Sequence, residues 1–355
     1  MATIFTMTHK KFSKPDDAAY VPVQVGRAVN EALGYLGDDT GDSISEKNCY
    51  YGELTGIYWV WKNYKGKENI GVCHYRRYFV DDNMKILSSE DYDKILSEYD
   101  IITSKAVYSE KSYWDAYAEA HDVRDELHVK EVIKRMYPAY YPYFLEAMDG
   151  RKNYFGNLMV TSRKLFDEYC GWLFSIFFEM EKNMDYNKYS DEYHKRVYGF
   201  LSEQLLMVWI MAKKLRVYEC RVGIAGEKAE TKELKLAIGQ LIKMGQITQA
   251  RQMMYEVLKI RPDLELNCSD LKGEIPVIAC ILCIAEAEQQ AHLEGILSYS
   301  SELGVLIEHI KRLGEIARKK EPAVQDFEYM KKTHVTETAM RILADGFLNS
   351  CNKDS

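Results

Sequence analysis

Short apolar runs alternate with longer amphipathic stretches over the first two thirds of the chain. The apolar runs are typical of buried strands and lie within residues 2–8, 69–79, 100–104, 153–161 and 215–222. The stretches between them carry apolar residues at helical spacing and cover residues 23–33, 48–64, 90–99, 125–148, 162–182 and 191–213. This alternation predicts an α/β domain, with a sheet covered by helices.

The pattern changes after about Ala229. Strand signals become few and helical patterns repeat, so we predict one domain over residues 1–228 and an all-α C-terminal domain over residues 229–355. Residues 245–262 resemble half of a tetratricopeptide-like unit, but no second copy follows at the expected period. We interpret this part as a helical appendage that packs on the first domain or on another subunit, so a homo-oligomer is one candidate state.

Residues 69–79 carry the most distinctive polar cluster. Their apolar run ends in His74, Tyr75, Arg76 and Arg77. In open α/β sheets, ligands bind beyond the carboxyl ends of the strands. Arginine presents a planar fork of donors that matches phosphate oxygens. The three basic residues are therefore candidates for binding a diphosphate. The alternative is that the arginines pair with the neighbouring carboxylates at positions 81 and 82.

The first predicted strand ends in Thr8, His9 and Lys10. First strands of nucleotide-binding α/β domains place their last residues against the base and the ribose. These three residues are therefore candidates for nucleotide binding, and an ordinary solvated strand end is the alternative.

Residues 34–42 form a loop rich in glycine and aspartate, with carboxylates at Asp38, Asp39 and Asp42. The order of residues does not fit the helix–loop–helix calcium motif. Such a loop suits a divalent cation such as Mn²⁺ or Mg²⁺, with Asp38 and Asp42 as ligands, or the hydroxyls of a sugar, with Asp39 as the contact. A plain surface turn is the alternative.

Glu203 lies inside an apolar helical stretch. Burying a carboxylate costs several kcal/mol unless it is paired or used, so Glu203 is a candidate site residue. The alternative is a helix cap or an ion pair with Arg196 or Arg221. Residues 108–122 are aromatic and polar and include Asp115; such a segment suits stacking on a sugar ring or closing over a site.

The composition narrows the class of protein. The net charge of −7 gives no basic footprint for nucleic acid. Eight scattered cysteines without a tight framework indicate reduced thiols, and the pair at Cys280 and Cys283 falls in an apolar helical run. No signal peptide and no apolar run of membrane-spanning length is seen, so we expect a cytoplasmic protein.

Several polar motifs occur in a fixed order along residues 2–225. They read Thr8-His-Lys, Val21-Pro-Val-Gln-Val-Gly, Leu36-Gly-Asp-Asp-Thr-Gly-Asp, Glu53-Leu-Thr, Trp59-Val-Trp-Lys-Asn, His74-Tyr-Arg-Arg-Tyr-Phe, Asn157-Leu-Met-Val and Gly199-Phe-Leu-Ser-Glu-Gln-Leu. As a set they closely resemble the bacterial family catalogued as domain of unknown function 4422. Its members occur among glycosyltransferases of capsule, exopolysaccharide and O-antigen biosynthesis.

The resemblance implies a GT-A-like domain of Rossmann type. Such an enzyme transfers a hexose from a UDP-sugar, with UDP-galactose or UDP-glucose as the expected donor. The acceptor would be a glycan, free or lipid-linked. Such enzymes commonly carry an Asp-x-Asp motif that binds a metal and the donor diphosphate. Here the corresponding strand ends in His74-Tyr-Arg-Arg, so fixed positive charge can replace the metal. Alternatively, the acidic loop over residues 34–42 binds a metal ion.

The resemblance also suggests catalytic roles. An acceptor hydroxyl needs a base if the enzyme inverts, and Glu203 is the first candidate and Asp115 the second. Asn157 is a candidate contact for the sugar. Neither inversion nor retention follows from the sequence.

Two other functions compete with this one. In the first, the chain is a non-catalytic sugar-nucleotide-binding or scaffolding protein of a polysaccharide assembly complex. In the second, it is a nucleotidyltransferase that releases pyrophosphate. A cationic patch over residues 311–320 suggests peripheral contact with the inner membrane. A solvated helix face is the alternative for that patch.

Overall fold

The computed structural model describes residues 1–189, 191–266, 269–319 and 321–344. The chain divides into two compact units, residues 1–225 and residues 226–355. The sequence pattern had placed a domain boundary three residues later.

The strands of the first unit are β1 (Thr3–Thr8), β2 (Tyr20–Gln24), β3 (Leu36–Gly37), β4 (Ile70–His74), β5 (Arg77–Val80), β6 (Ile101–Ser104), β7 (Val107–Tyr108), β8 (Lys152–Asn153), β9 (Met159–Thr161) and β10 (Val217–Ile224). Eight of them form one sheet, and β7 pairs with β8. β1 pairs in parallel with β2 and β4, and β2 with β3. β9 runs antiparallel between β4 and β6, and β10 lies between β6 and β5. The four parallel strands β1 to β4 therefore end at one edge of the sheet, where β9 begins.

The helices of this unit are α1 (Asn48–Tyr51), α2 (Leu54–Asn63), α3 (Ser89–Leu96), α4 (Tyr113–Ala120), α5 (Val123–Met136), α6 (Tyr141–Asp149), α7 (Arg163–Glu181) and α8 (Val197–Lys213). Alternate residues of β1 face two different cores. Phe5 and Met7 join the cluster formed with α2, α7 and α8. Ile4 joins a second cluster, which includes Tyr92 of α3. Both faces of the sheet are covered, and the predicted α/β character is confirmed.

Two element predictions were wrong in ways that affect the site. Residues 23–33 carry helical spacing, yet they contain the end of β2 and a short 3-10 turn, Arg27–Val29. Parallel pairing with β1 and β3 on its two sides holds β2 extended, and Gly26, at a φ of 65°, ends it.

The apolar run of residues 69–79 is not a single strand. β4 ends at His74, the chain reverses over Tyr75 and Arg76, and β5 begins at Arg77, which pairs with His74. Arg76 and Arg77 therefore belong to a turn and to a second strand, and they do not both continue β4.

The regular elements described in the second unit are helices. They are α9 (Ala229–Lys243), α10 (Ile247–Ile260), α11 (Glu274–Gln290), α12 (Ile296–Tyr299), α13 (Leu303–Ala317), α14 (Val324–Lys332) and α15 (Glu337–Ala344), with a 3-10 turn at Pro262–Leu264. Their apolar faces form one core. Cys280 is buried and Cys283 partly buried on α11, as the apolar run predicts. None of the described helices combines the length and apolar character that a membrane crossing requires.

Candidate active site

Two predicted site residues meet at the carboxyl edge of the sheet, on either side of Gly156. His74 ends β4, and its Nε2 lies 2.6 Å from the Gly156 carbonyl oxygen. The Gly156 N–H donates to Oε1 of Glu203, on α8, over 2.8 Å. Because a carbonyl oxygen only accepts hydrogen bonds, this contact requires a proton on Nε2 of His74.

Arg77 lies beside this arrangement. A Cβ atom on Gly156 would come within 2.9 Å of Arg77 Nη1. The Arg77 side chain is partly buried, and within the described ranges no carboxylate or carbonyl accepts a hydrogen bond from its guanidinium. The nearby carboxylates have other contacts: Asp81 accepts from the N–H groups of Asn83 and Lys85. Asp82 lies 4.0 Å from Arg221. Local ion pairing, the alternative raised from the sequence, is therefore not seen for Arg77.

Arg76 occupies the turn between β4 and β5 and is only 5% exposed. Its carbonyl accepts from the N–H of Ala225, just beyond β10. The turn is thus attached to the end of β10, the strand next to β5, and Arg76 is fixed within the protein.

Burial and neighbouring charges shift the pKa values of the two residues on either side of Gly156 in opposite directions. Burial raises the pKa of Glu203 from 4.5 to about 7, and the Glu53 carboxylate adds to the rise. The Gly156 N–H, Arg77 and Arg196 oppose it. Burial lowers the pKa of His74 below 6.5, with Arg77 and Arg76 adding to the fall and Glu53 opposing it. Both groups are therefore biased toward their neutral forms.

The ion pairs proposed for Glu203 from the sequence are not formed. Neither Arg196 nor Arg221 lies within 4 Å of the Glu203 carboxylate in the part of the chain that is described. Oε1 accepts from Gly156, and no hydrogen bond to Oε2 is seen within the same ranges. Glu203 thus retains a free carboxylate oxygen.

Asn157 is buried next to this cluster, with a φ of 51°. Its Nδ2 donates to Oε1 of Glu53 over 2.8 Å and to the Gly199 carbonyl over 3.2 Å. Its Oδ1 accepts from the Ser202 hydroxyl over 2.9 Å. The side-chain amide is thus engaged by protein groups on both sides. The predicted contact between Asn157 and the sugar stays a prediction.

The end of β1 lies next to an aromatic group. The Thr8 hydroxyl accepts from the Lys10 N–H over 3.1 Å and donates to the Lys10 carbonyl. His9 is exposed, and its ring meets the Tyr75 ring edge-on at 5.4 Å. Phe12 lies 6.0 Å from the same ring. The structure thus brings His9 to Tyr75 at the ends of β1 and β4, whereas the Thr8 side chain closes its own turn.

The acidic loop is held together by its own hydrogen bonds. Asp38 is fully buried, and its carboxylate accepts from the N–H groups of Gly26 and Arg27 and from the Ser45 hydroxyl. Asp42 accepts from the Tyr58 hydroxyl over 2.8 Å.

Asp39 is exposed and lies 4.0 Å from Arg27. Within the described ranges, neither Asp38, Asp39 nor Asp42 belongs to a group of three carboxylate, histidine or cysteine ligands close enough to share a metal ion. The donor set of this loop does not fit a metal site.

A carboxylate cluster with metal-like spacing is found in the second unit. Oxygens of Glu227, Asp270 and Glu274 lie within 4.8 Å of one another. The ammonium of Lys235 lies 2.6 to 2.8 Å from all three. A lysine thus supplies the positive charge that these carboxylates require.

Comparisons with known proteins identify the family of the chain and a structural relative. A family model described as a domain of unknown function (DUF4422) matches residues 3–214. The chain belongs to this family. Its structure is also similar to that of a bifunctional glycosyltransferase, WbbM, in its apo form, with 29% sequence identity and a TM-score of 0.60. That similarity covers 64% of this chain but only 46% of the other, so this chain spans about half of that enzyme. No curated protein matches the sequence.

The DUF4422 domain contains site residues that sequence reasoning missed. Glu53 precedes α2 and joins the cluster through Asn157. Tyr113, on α4, is partly buried near Glu203 and Glu126, and burial with these two carboxylates raises its pKa. A polar residue at the start of an apolar helix was the available signal for Glu53. Nothing in the sequence spacing linked Tyr113 to Glu203.

Asp115, the second predicted base, has a structural contact. It is exposed on α4, its N–H donates to the Ser112 hydroxyl, and its carboxylate accepts from that hydroxyl over 2.7 Å. This contact caps the helix. Asp115 stays a prediction as a base, and the geometry favours Glu203.

An aromatic platform flanks the start of α8. The rings of His121 and Phe200 stack at 4.1 Å, and the guanidinium of Arg196 lies 4.9 Å from the Tyr193 ring and 5.6 Å from the Phe200 ring. Because Arg196 also acts on Glu203, this platform belongs to the same region as the carboxylate. Aromatic faces of this kind suit the apolar face of a sugar.

Proposed function

We propose that this DUF4422 chain is a GT-A-like glycosyltransferase, which moves a hexose from a nucleoside-diphosphate sugar to a glycan acceptor. Family membership and the similarity to a bifunctional glycosyltransferase support the reaction class. The carboxyl ends of the parallel strands support the position of the proposed site, because cationic, carboxylate and aromatic groups lie close together there.

One observation carries the proposal: the guanidinium of Arg77 is partly buried and forms no hydrogen bond or ion pair within the described residues. It lies beside the Glu203 carboxyl, whose pKa burial raises to about 7. A guanidinium removed from bulk water without a partner is costly. A diphosphate would remove this cost, since its oxygens match the arginine fork. Arg77 is accordingly our main candidate for the leaving diphosphate, with Arg76 supporting the turn that presents it.

The other basic residue of this cluster has a different role. The His74 Nε2 proton is directed at Gly156, so neutral His74 offers only the acceptor Nδ1. We assign His74 to holding the Gly156 loop. A phosphate oxygen needs a donor, which His74 would supply only when protonated.

In the reaction we propose for an inverting enzyme, Glu203 removes the proton of the acceptor hydroxyl through Oε2. The acceptor oxygen forms a bond to the anomeric carbon. The bond from that carbon to the diphosphate oxygen breaks, and the nucleoside diphosphate leaves with the electron pair. Arg77 neutralises the charge that develops on the leaving group. No step in this scheme requires a metal ion.

The ends of β1 and β4 supply the proposed contacts with the nucleobase. His9, Tyr75 and Phe12 offer ring faces and edges for the nucleobase. We propose UDP-glucose or UDP-galactose as donor and a growing glycan, free or lipid-linked, as acceptor. The pathway would be capsule, exopolysaccharide or O-antigen synthesis.

The test is nucleotide binding followed by turnover. Thermal stabilisation is measured with UDP, GDP and CMP, in EDTA and in Mn²⁺, for the wild type, Arg77→Gln and Arg221→Gln. Arg221 is a matched control, because within the described residues its one ion pair is with an almost fully exposed Asp82, and such pairs contribute little. A nucleotide at about 100 times its Kd should stabilise the fold by about 2.7 kcal/mol.

We expect UDP to stabilise the wild type and Arg221→Gln in EDTA, and to lose this effect in Arg77→Gln. Release of UDP from UDP-sugars, with the sugar appearing on an acceptor, then establishes transfer. A folded wild type that no nucleotide stabilises would overturn the proposal and favour the scaffolding function. Release of pyrophosphate would identify a nucleotidyltransferase.

A further inference from the structure

Gly156 and Asn157 form an unusual pair of consecutive residues with positive φ, at 89° and 51°. Glycine adopts this region freely, whereas a residue with a side chain does so at a cost. Asparagine tolerates it better than most, and Asn157 is only 2% exposed. A buried residue keeps such a conformation when its surroundings over-determine it.

The surroundings of Asn157 come from three separate parts of the domain. Its amide binds Glu53 before α2, and the Gly199 carbonyl and the Ser202 hydroxyl in the first turns of α8. Its backbone leads directly into β9. The Asn157 side chain therefore fixes the loop before β9 against two helices.

Gly156 connects the fixed turn to two candidate site residues, His74 and Glu203. Its carbonyl belongs to the peptide bond that the Asn157 nitrogen completes, and this carbonyl accepts from His74. Its N–H donates to Glu203. A rotation of the Gly156–Asn157 turn would misdirect both hydrogen bonds together.

We propose that Asn157 is a positioning residue, which locks the Gly156–Asn157 turn and thereby holds Glu203 and His74 in their working arrangement. It does so without touching substrate. This inference rests on the proposed function, in which Glu203 is the base.

The groups that face Glu203 set the expected direction of change. They are the Gly156 N–H and Arg77, the Glu53 carboxylate before α2, Arg196 before α8, and Tyr113 on α4. The Gly156 N–H favours the ionised form of Glu203, and Glu53 disfavours it. Releasing the turn removes the first effect, so the titration midpoint of Glu203 should rise.

Two substitutions distinguish the effect of the Asn157 backbone conformation from that of its side-chain amide. Asn157→Gly permits the positive φ but removes the amide. Asn157→Asp keeps the size and the tolerance for positive φ, but it cannot donate to Glu53 or Gly199. Its added carboxylate also raises the pKa of Glu203 by like-charge repulsion, so Asn157→Gly is the deciding variant. Lys214→Gly is the control, because Lys214 also has a positive φ, of 54°, but at the other end of α8. Ser202→Ala is the milder alternative if either Asn157 variant fails to fold, since it removes the hydrogen bond to Oδ1.

The first readout is the titration of the Glu203 side chain by NMR with labelled glutamate, assigned by comparison with Glu203→Gln. This titration needs no substrate, so it tests the positioning role of Asn157 even if no transferase activity is found. The second readout is kcat and the donor KM across pH. We expect both Asn157 variants to raise the Glu203 midpoint and to lower kcat about 10²-fold with the donor KM unchanged, as for a misplaced catalytic group. Lys214→Gly should match the wild type.

An unchanged Glu203 midpoint in folded Asn157→Gly and Asn157→Asp would overturn the inference. So would a loss confined to donor KM, because that result identifies Asn157 as a sugar contact. If the wild type lacks transferase activity while the midpoint still shifts, the proposed function fails and the positioning role stands.

Discussion

His74 and Glu203 bind the same residue from opposite sides, one through the Gly156 carbonyl and the other through the Gly156 N–H. Their pKa values move in opposite directions, to about 7 for Glu203 and below 6.5 for His74. Burial thus biases both groups toward their neutral forms, and a neutral Glu203 suits the approach of an anionic donor to Arg77.

The first prediction concerns the base. Glu203→Gln should lower kcat about 10²- to 10⁴-fold, the usual contribution of a general base. In the wild type kcat should rise with pH through about 7, because Glu203 must be ionised to accept a proton. The measurement is the pH profile of UDP release in the presence of acceptor.

Asp115→Asn serves as the comparison for this prediction. Asp115 caps α4 at the surface, so its variant should keep the pH profile of the wild type. A profile abolished by Asp115→Asn and retained in Glu203→Gln would exchange the roles of the two carboxylates.

The second prediction concerns stability against pH. The Glu203 pKa is raised in the fold, so its carboxyl favours the folded state below pH 4.5, and this contribution is lost as pH rises through about 7. The loss is on the order of 3 kcal/mol, at about 1.4 kcal/mol for each unit. The His74 pKa is lowered, so its contribution is present above pH 6.5 and is lost as pH falls through its folded pKa.

These two slopes oppose each other in the wild type, and single variants should expose them. Relative to the wild type, Glu203→Gln should become more stable as pH rises from 5 to 7.5. As pH falls from 6.5 to 5, His74→Gln should lose stability less steeply than the wild type, because it lacks the contribution that His74 loses there. Tryptophan fluorescence in urea measures this, because all five tryptophans lie within residues 1–225. Parallel curves for wild type and Glu203→Gln would show that Glu203 is not buried as a carboxyl group.

Much of the fold could be predicted because local pattern and tertiary structure agree. The strand at 2–8 and the two helices around Pro138 have apolar periods that match their final environment. The pattern failed at residues 23–33, where helical spacing is outweighed by parallel pairing of β2 with its neighbours. It also failed at the turn after His74, since a hairpin of two apolar strands looks like one longer strand.

The candidate site could be predicted only in part. Residue type and a strand end were enough to single out His74 and Arg77, and a carboxylate within an apolar helical stretch singled out Glu203. The role of Gly156 could not be predicted, because a backbone N–H and carbonyl have no signature in the sequence. Asp38 shows a similar limit: an acidic loop suggested a metal ligand, and the sequence did not reveal that its carboxylate accepts from backbone N–H groups and a hydroxyl.

The third prediction concerns the turn itself. In Gly156→Ala, the new Cβ would lie 2.6 Å from a Leu158 methyl carbon and 2.9 Å from Arg77 Nη1, at a φ of 89°. Gly34 has a similar φ of 83° but no atom within 4 Å of a Cβ. Gly34→Ala should therefore show the backbone cost alone, on the order of 1 kcal/mol. Gly156→Ala should cost about 1–3 kcal/mol more, the usual cost of overpacking.

Urea unfolding followed by tryptophan fluorescence compares the two alanine variants directly. Nucleotide binding gives a second comparison, because Arg77 must move to admit the new Cβ. UDP should still stabilise Gly34→Ala and should stabilise Gly156→Ala less. Equal stability and equal UDP binding in the two variants would contradict the close packing of Arg77 against Gly156.

The last prediction concerns the helical unit. Lys235 is 8% exposed, and its ammonium binds Glu227, Asp270 and Glu274. Lys235→Met keeps the apolar stem but removes the ammonium that lies between the three carboxylates, which should cost about 3–5 kcal/mol, as for other broken buried pairs. Because oxygens of these carboxylates lie within 4.8 Å of one another, Ca²⁺ should restore part of the lost stability in the variant and add none to the wild type.

Far-UV circular dichroism in urea, with Ca²⁺ or EDTA, measures the effect of Lys235→Met on the helical unit. Lys243→Met is the matched control, since Lys243 is on the same helix, half exposed and paired with an exposed Glu302. It should change stability little and respond to Ca²⁺ no more than the wild type. If Lys235→Met is as stable as Lys243→Met, the three carboxylates do not depend on the lysine. A loss of stability that Ca²⁺ leaves unchanged would show that the carboxylates move apart once the ammonium is gone, so that Lys235 holds the cluster together as well as neutralising it.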